Sequence, residues 1–114
     1  MKSFRELYVW SASVDLAAQV IVMADVLCEQ RRFALADQMQ RAAISVPSNI
    51  AEGYGRLTRN EWRHFLGQAR GSLFELETQL EIARRIHSIK ECDSERSLIA
   101  KVGVGLTKMI KTLT

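Results

Sequence analysis

Cysteine, proline and glycine are scarce in this sequence. It contains two cysteines, one proline and six glycines among 114 residues. So few prolines and glycines argue against a disordered chain and against an all-β fold, which needs many turns. Cys28 and Cys92 are far apart, form no CxxC pair and have no nearby histidine, so neither a metal site nor a disulfide framework is expected. The sequence predicts no cofactor.

Long apolar runs are also missing. No uninterrupted run approaches the ~20 residues that a membrane span requires. Lys2, Arg5 and Glu6 place charge where a signal peptide would carry an apolar segment. We therefore expect a cytoplasmic protein that does not use a membrane. A chain of this length predicts one domain, residues 1–114, which can remove roughly two thirds of its unfolded surface from water.

The first helix is predicted to begin at Ser3, because Ser3 and Glu6 fit a capping box. Two apolar stripes follow at helical spacing. The first stripe is Leu7, Trp10, Val14, Ala17, Ile21, Ala24 and Cys28, and the second is Val9, Leu16, Val20, Met23 and Leu27. The stripes lie about 110° apart, so this helix is apolar over more than one face. One stripe can face the core, and the other requires a flanking helix or another subunit.

The second helix contains the single proline. Its apolar positions are Leu35, Met39, Ala42 or Ala43, Val46 and Ile50. Pro47 lies inside this pattern, where its missing N–H and its ring disturb a helix. We expect a kinked helix that continues to about Glu52 and stops at Gly53 or Gly55, where a positive φ is allowed. The alternative is a break at Pro47 and a new start.

Two further helices complete the predicted fold. Thr58 and Glu61 form a capping box before the apolar stripe Trp62, Leu66, Ala69, Leu73, Leu76, Leu80 and Ala83. Gly67 and Gly71 within this helix predict close approach of a neighbouring backbone. Ser94 is the expected N-cap of the last helix, whose stripe is Leu98 or Ile99, Val102, Leu106, Met109 and Leu113. Four helices with short loops predict an all-α, antiparallel up-down four-helix bundle.

No residue set in the sequence is typical of catalysis. Glu77 and Glu81 share a helix face, but no Glu-x-x-His motif accompanies them, as a di-iron bundle would require. His64 and His87 are remote from any set of metal ligands, and Ser45 lacks the context of a nucleophile elbow. The sequence therefore predicts a protein that is not an enzyme and holds no metal.

Positive charge is concentrated in the middle of the chain. Between residues 31 and 70 there are seven arginines against three acidic residues. These arginines are the candidate phosphate contacts: Arg31, Arg32, Arg41, Arg56, Arg59, Arg63 and Arg70. Arginine and nearby aromatic rings, here Tyr54 and Trp62, suit phosphate binding and base stacking. The alternative is a solvated face in which Arg56 pairs with Glu52 and Arg63 pairs with a neighbouring carboxylate.

Three segments resemble a known family. They are Leu7-Tyr8-Val9-Trp10, the string SVPSNIAEGYGR at residues 45–56, and Phe65-Leu66 with the string ARGSLFELETQL at residues 69–80. They are similar to the bacterial four-helix-bundle family encoded in intervening sequences of 23S ribosomal RNA genes. That family includes the accessory variability proteins of diversity-generating retroelements.

The resemblance implies a homopentameric ring that binds RNA or DNA without catalysis, with a reverse transcriptase as a further partner in the retroelement branch. The family signature falls on Pro47, Asn49, Glu52, Gly53, Gly55 and Arg56, and on Gly71, Ser72, Glu75 and Glu77 of the third helix. We expect these residues to form a polar cluster between the second and third helices. In this hypothesis Asn49, Ser72 and Glu75 satisfy the backbone groups that Pro47 leaves open, and Glu52 orients Arg56. The alternative function is a protein-interaction scaffold.

Overall fold

Four α-helices make up most of the described part of the chain. The computed structural model describes residues 3–114, apart from the side chain of Glu6. A short 3-10 helix at Phe4–Glu6 precedes the four α-helices, which are α1 (Tyr8–Glu29), α2 (Phe33–Tyr54), α3 (Arg59–Arg85) and α4 (Asp93–Thr112). Within residues 3–114 there is no strand. The prediction of four helices and an all-α fold is confirmed.

The helices pack side by side into an elongated bundle of 44 × 21 × 21 Å. Helix α1 packs against α2 and α4, and helix α3 packs against the same two helices. Buried side chains from all four helices form one core, in which Leu16, Met39, Leu73 and Leu106 are almost fully shielded from solvent. Burial of apolar surface of this kind is the main force that stabilises such a fold.

The start of the first helix differs from the prediction. Ser3 caps the short 3-10 helix, where its Oγ accepts a hydrogen bond from the backbone N–H of Arg5 at 3.1 Å. The α-helix begins five residues later, at Tyr8. The predicted role of Glu6 in a capping box concerns a side chain outside the described residues.

Helix α1 uses mainly the second of its two predicted stripes for the core. Val9, Leu16, Val20 and Leu27 from that stripe are buried. In the first stripe Ala17 and Ala24 are also buried, whereas Val14 and Ile21 are 37% and 38% exposed. By length and composition alone α1 could cross a membrane, and 39% of its most apolar 18-residue stretch is buried within the bundle. A core helix of a bundle passes the same test.

Helix α2 runs through Pro47 without interruption. This confirms a continuous helix and makes the alternative break at Pro47 wrong. The helix ends at Tyr54 and is capped by Gly55, whose φ is −79°. No described glycine has a positive φ, so the helix end does not use the conformational freedom that was expected there.

The apolar stripes predicted on α3 and α4 are confirmed. Every member of the α3 stripe is buried except Trp62, which is half-buried. On α4 the residues Ile99, Val102 and Leu106 are buried. The start of α4 was predicted wrongly, because the helix begins at Asp93 and Ser94 instead donates a hydrogen bond from Oγ to Gln19 Oε1 at 2.9 Å.

Close approach between helices occurs at glycines other than the two that were predicted. A Cβ atom at Gly67 or Gly71 would meet nothing within 4 Å, so the prediction for these two residues is wrong within the protomer. At Gly53 a Cβ would lie 2.9 Å from Phe65 Cβ and 3.2 Å from the backbone oxygen of Trp62. Gly105 of α4 likewise lies against the Val9 side chain of α1.

Candidate nucleic-acid interface

The first half of α3 forms one wall of an open groove, which continues onto α4. The groove has a volume of about 680 Å³. Its lining comprises Asn60, Arg63, His64, Gly67, Gln68, Arg70, Gly71, Phe74 and Ile110. Arg63 and Arg70 are seven residues apart, which is two helical turns or about 10 Å along the axis. Gly67 and Gly71 lie on the same stretch and expose helix backbone because they lack a side chain.

The two arginines of this groove are not neutralised by carboxylates. Arg63 makes no hydrogen bond or ion pair with any residue that the structure describes, which differs from the alternative of a carboxylate partner. Arg70 places its guanidinium over the Phe74 ring, 4.8 Å from the ring centroid. A cation over an aromatic face is attracted to it but keeps its full charge. The groove therefore presents two positive charges to solvent.

A second cationic site adjoins the groove at the end of α4. Arg59 and Lys108 line a neighbouring pocket with Trp62. The guanidinium of Arg59 donates from Nη2 to the backbone oxygen of Thr112 at 2.8 Å. Lys111 lines a further groove together with Lys108 and Phe74. Lys108 and Lys111 were not predicted as site residues, since only the packing of α4 against α3 brings them to this surface.

Arg56 lies just before α3 and already has two partners. Its guanidinium sits 4.4 Å above the centroid of the Phe65 ring. Its Nη2 lies 3.9 Å from Glu52 Oε1. An exposed pair at this distance contributes little to stability, about 0–1 kcal/mol. The arrangement matches the alternative in which Arg56 pairs with Glu52, and it leaves part of the guanidinium exposed.

The other three candidate arginines lie away from the groove. Arg32 donates from Nε to Ser88 Oγ at 2.8 Å, which places the α1–α2 loop beside the α3–α4 connection. Arg31 is in the same loop, with a φ of 63°. Helix α3 is about 40 Å long, so this loop is at the opposite end of the bundle from Arg59. Arg41 is on α2 and pairs with Asp37 at 2.9 Å. The seven arginines thus form no single surface.

A carboxylate-centred network occupies the far end of α3. Glu81 accepts hydrogen bonds from Arg84, Arg85 and Arg96, with the shortest distance, to Arg84, at 2.7 Å. The hydrogen bonds from Arg84 and Arg85 lower the pKa of Glu81 to about 2. These three arginines all pair with the one carboxylate of Glu81. Arg63 and Arg70, in contrast, have no carboxylate partner among the described residues.

The predicted polar cluster between α2 and α3 is smaller than expected. Ser45 Oγ and Ser72 Oγ are 2.9 Å apart and form a hydrogen bond across the two helices. The Asn49 amide donates to both the backbone oxygen and the Oγ of Ser45, each at 2.9 Å. Pro47 has no N–H, so the carbonyl that loses its helical partner is that of Ala43, four residues earlier. Asn49 bonds the carbonyl of Ser45 instead, so it does not satisfy the group that Pro47 leaves open. Ser45 joins the two helices and was not among the predicted members.

Several signature residues lie outside this network. Glu75 is exposed and accepts a hydrogen bond from Gln79 at 3.3 Å, so the hypothesis that it satisfies backbone groups near Pro47 is wrong. Glu77 is exposed and faces α4, where it lines a groove with Lys108. Gly71 lines the groove on α3, and Gly55 caps α2. The signature thus spreads over several surfaces.

We expect Asn49→Ala and Ser72→Ala to lower the free energy of unfolding by about 0.5–1.5 kcal/mol each, because each removes one of the two hydrogen bonds that the partly buried Ser45 hydroxyl makes. Glu75→Ala is the matched control on the same stretch of α3. It removes an exposed side chain and should change stability by less than about 0.5 kcal/mol. Chemical denaturation of the three variants measures these differences. Equal losses in all three would contradict the assignment of the network.

The described residues hold no cluster of histidine, cysteine and carboxylates that could bind a metal ion. His64 is exposed, with its Nε2 3.0 Å from Gln68 Nε2. Cys92 is buried, and burial raises the pKa of its thiol. The contacts that α3 offers a ligand are the cationic side chains of Arg63 and Arg70 and the aromatic ring of Phe74.

The chain is similar to a known protein family and to a solved structure. The family model described as 23S rRNA-intervening sequence protein matches residues 5–111. A crystal structure of a protein of unknown function from the S23 ribosomal protein family of Bacteroides thetaiotaomicron matches with a TM-score of 0.70 at 24% identity. The match covers 92% of this chain and 94% of that one, and at this identity it shows the fold alone. No curated protein matches the sequence.

Proposed function

The chain belongs to the 23S rRNA-intervening sequence protein family, and we propose that its function is to bind nucleic acid through the groove on α3. The observation that carries this proposal is the pair of arginines in the groove, Arg63 and Arg70, which lack any carboxylate partner among the described residues. In protein–DNA complexes about half or more of the hydrogen bonds go to phosphate oxygens and sugars, and arginine is one of the main donors. Planar guanidinium groups bind phosphates through two parallel hydrogen bonds.

The surroundings of the groove support the same function. Arg59 and Lys108 extend the positive charge beyond one end of the groove. A row of cations raises the local concentration of a polyanion and speeds its association. The groove is open to solvent, so a chain-like ligand can reach the arginines that line it. A binding role needs no catalytic residue, and we expect the protein to act without catalysis in the cytoplasm.

We further propose that the bundle is antiparallel and assembles with copies of itself into a ring, for which the family resemblance implies five subunits. Contacts between Ser45 and Ser72 and between Gly53 and Phe65 support an antiparallel α2–α3 pair. Helix α1 supports self-association, because it exposes Val22 and Val26 at 68% and 43%. Exposed apolar side chains grouped on one helix commonly mark an interface.

The same face of α1 favours a second candidate function, a protein-interaction scaffold. In that case α1 would dock another protein, such as a reverse transcriptase. Contacts of this kind are apolar, so the affinity would respond little to salt. Phosphate contacts, in contrast, weaken steeply as salt rises.

The test is a titration of labelled RNA and DNA with the purified protein, followed by fluorescence anisotropy, with the mass of the protein measured in the same buffer. The proposal predicts binding at low salt and a mass several times that of the 12.9 kDa chain. A stable ring that binds no nucleic acid at low salt would overturn the proposed function and favour the scaffold. A monomer would contradict the proposed assembly.

A further inference from the structure

Phe74 is an exposed aromatic residue at the edge of the groove. Its side chain is 44% exposed, and it forms part of the lining of two neighbouring grooves, one that contains Arg70 and one that contains Lys108. The Arg70 guanidinium lies over the ring at 4.8 Å. Exposure on this scale leaves ring surface in contact with water. A flat apolar partner that covered this surface would be favoured.

We infer that the groove binds single-stranded nucleic acid in preference to a duplex, with one base stacked at Phe74 and Arg70. This inference rests on the proposed function. Single-strand-binding proteins combine a cationic groove with aromatic rings on which bases stack. Bases also stack on the planes of guanidinium groups. In a duplex the faces of the bases are stacked on each other, so a duplex offers phosphates to the arginines and no base face to the ring.

The positions of the two arginines fit a strand that passes over Phe74. Arg70 is four residues from Phe74, on the same face of α3. Arg63 lies about 10 Å further along the helix from Arg70, where it can bind a phosphate several bonds away from the stacked base. Between the two arginines the floor of the groove at Gly67 has no side chain. A sugar–phosphate backbone can therefore approach the helix closely.

The preference should depend on strandedness more than on base identity. Every base has a stacking face, so stacking on an aromatic ring tolerates different sequences. His64 and Gln68 also line the groove. Their Nε2 atoms are 3.0 Å apart and bond each other, which leaves fewer polar groups free to read the edge of a base. The expected ligand is therefore single-stranded RNA or DNA of any sequence.

The experiment compares a labelled single-stranded RNA with a duplex of the same sequence, using wild-type protein and Phe74→Leu. Leucine keeps an apolar side chain and removes the ring. We expect the variant to lose about tenfold in affinity for the single strand, since stacking of one base contributes roughly that much. Its affinity for the duplex should not change. Phe33→Leu is the matched control, because Phe33 is a 57% exposed phenylalanine at the start of α2, outside the groove.

The possible outcomes separate the two proposals. Selective loss of single-strand binding in Phe74→Leu, with Phe33→Leu unchanged, supports the inference. Equal binding of both ligands by the wild type, unaffected by Phe74→Leu, overturns the inference but leaves the proposed function intact. Absence of binding to either ligand overturns both. Thermal unfolding of the two variants controls for any effect of the substitutions on folding.

Discussion

Replacing Arg63 and Arg70 together by alanine should lower the affinity for nucleic acid about 100-fold at low salt. Each arginine carries a charge that no carboxylate in the described part of the chain neutralises, so each is available to a phosphate. A hydrogen bond to a charged group contributes about 1.5–3 kcal/mol, and two such losses at the low end correspond to about 3 kcal/mol. Fluorescence anisotropy with labelled single-stranded RNA measures the change. Both side chains are exposed, so the fold should be preserved.

The matched control is the double variant Arg31→Ala with Arg41→Ala. It removes the same amount of positive charge from residues outside the groove. Its expected effect is a loss of a few-fold at most, through the weaker general attraction between a basic protein and a polyanion. If the two double variants lose affinity equally, the groove has no special role and binding depends on net charge.

Gly105→Ala should destabilise the protein by about 1–3 kcal/mol, although alanine is the better helix former. The new methyl group would overlap the Val9 side chain of α1. Overpacking of a core typically costs this much, because side chains or backbone must shift. A β-branched valine has few alternative rotamers with which to make room. Thermal unfolding should show a lower Tm, by about 4 °C for each kcal/mol in a domain of this size.

Gly103→Ala is the control in the same helix. A Cβ at Gly103 would meet only Leu73 Cδ2, at 3.5 Å, which is an ordinary contact. Here the gain in helix propensity, up to about 1 kcal/mol, should dominate and raise the Tm. Destabilisation of both variants to the same degree would show that close packing of α1 against α4 is not the reason for glycine at position 105.

Helical periodicity predicted most of the fold correctly, and it failed where more than one pattern was available. On α3 the apolar residues form one stripe, and that stripe is buried. On α1 the apolar residues cover more than one face, so spacing alone could not decide that Leu16 faces the core while Ile21 stays partly exposed. The start of α4 was missed because Ser94, a good capping residue, bonds Gln19 of another helix instead.

The glycines show a similar limit. Gly67 and Gly71 are spaced as residues at a helix–helix contact, yet both lie open on the surface, while Gly53 and Gly105 make the close contacts. Spacing identifies which residues share a face. Which neighbour lies opposite that face depends on the packing of all four helices.

Helical spacing predicts which candidate site residues lie near one another when they share one helix. Arg63 and Arg70 line the same groove, as their seven-residue separation indicates. Arg32 was grouped with them only because it is near in the chain, and the fold places it at the other end of the bundle. Glu75 follows Ser72 by three residues, which turns it about 60° around α3 and away from the hydrogen bond to Ser45.

The salt dependence of binding tests the central claim, that the groove on α3 binds phosphate groups, most directly. The affinity for single-stranded RNA would be measured at a series of salt concentrations for the wild type and for the Arg63→Ala, Arg70→Ala double variant. The log of the association constant should fall with the log of salt by about 0.7 for each phosphate contact. We expect the double variant to have a slope shallower by about 1.4, because it lacks two phosphate contacts. A wild-type affinity that is insensitive to salt, or an unchanged slope in the double variant, would contradict the claim.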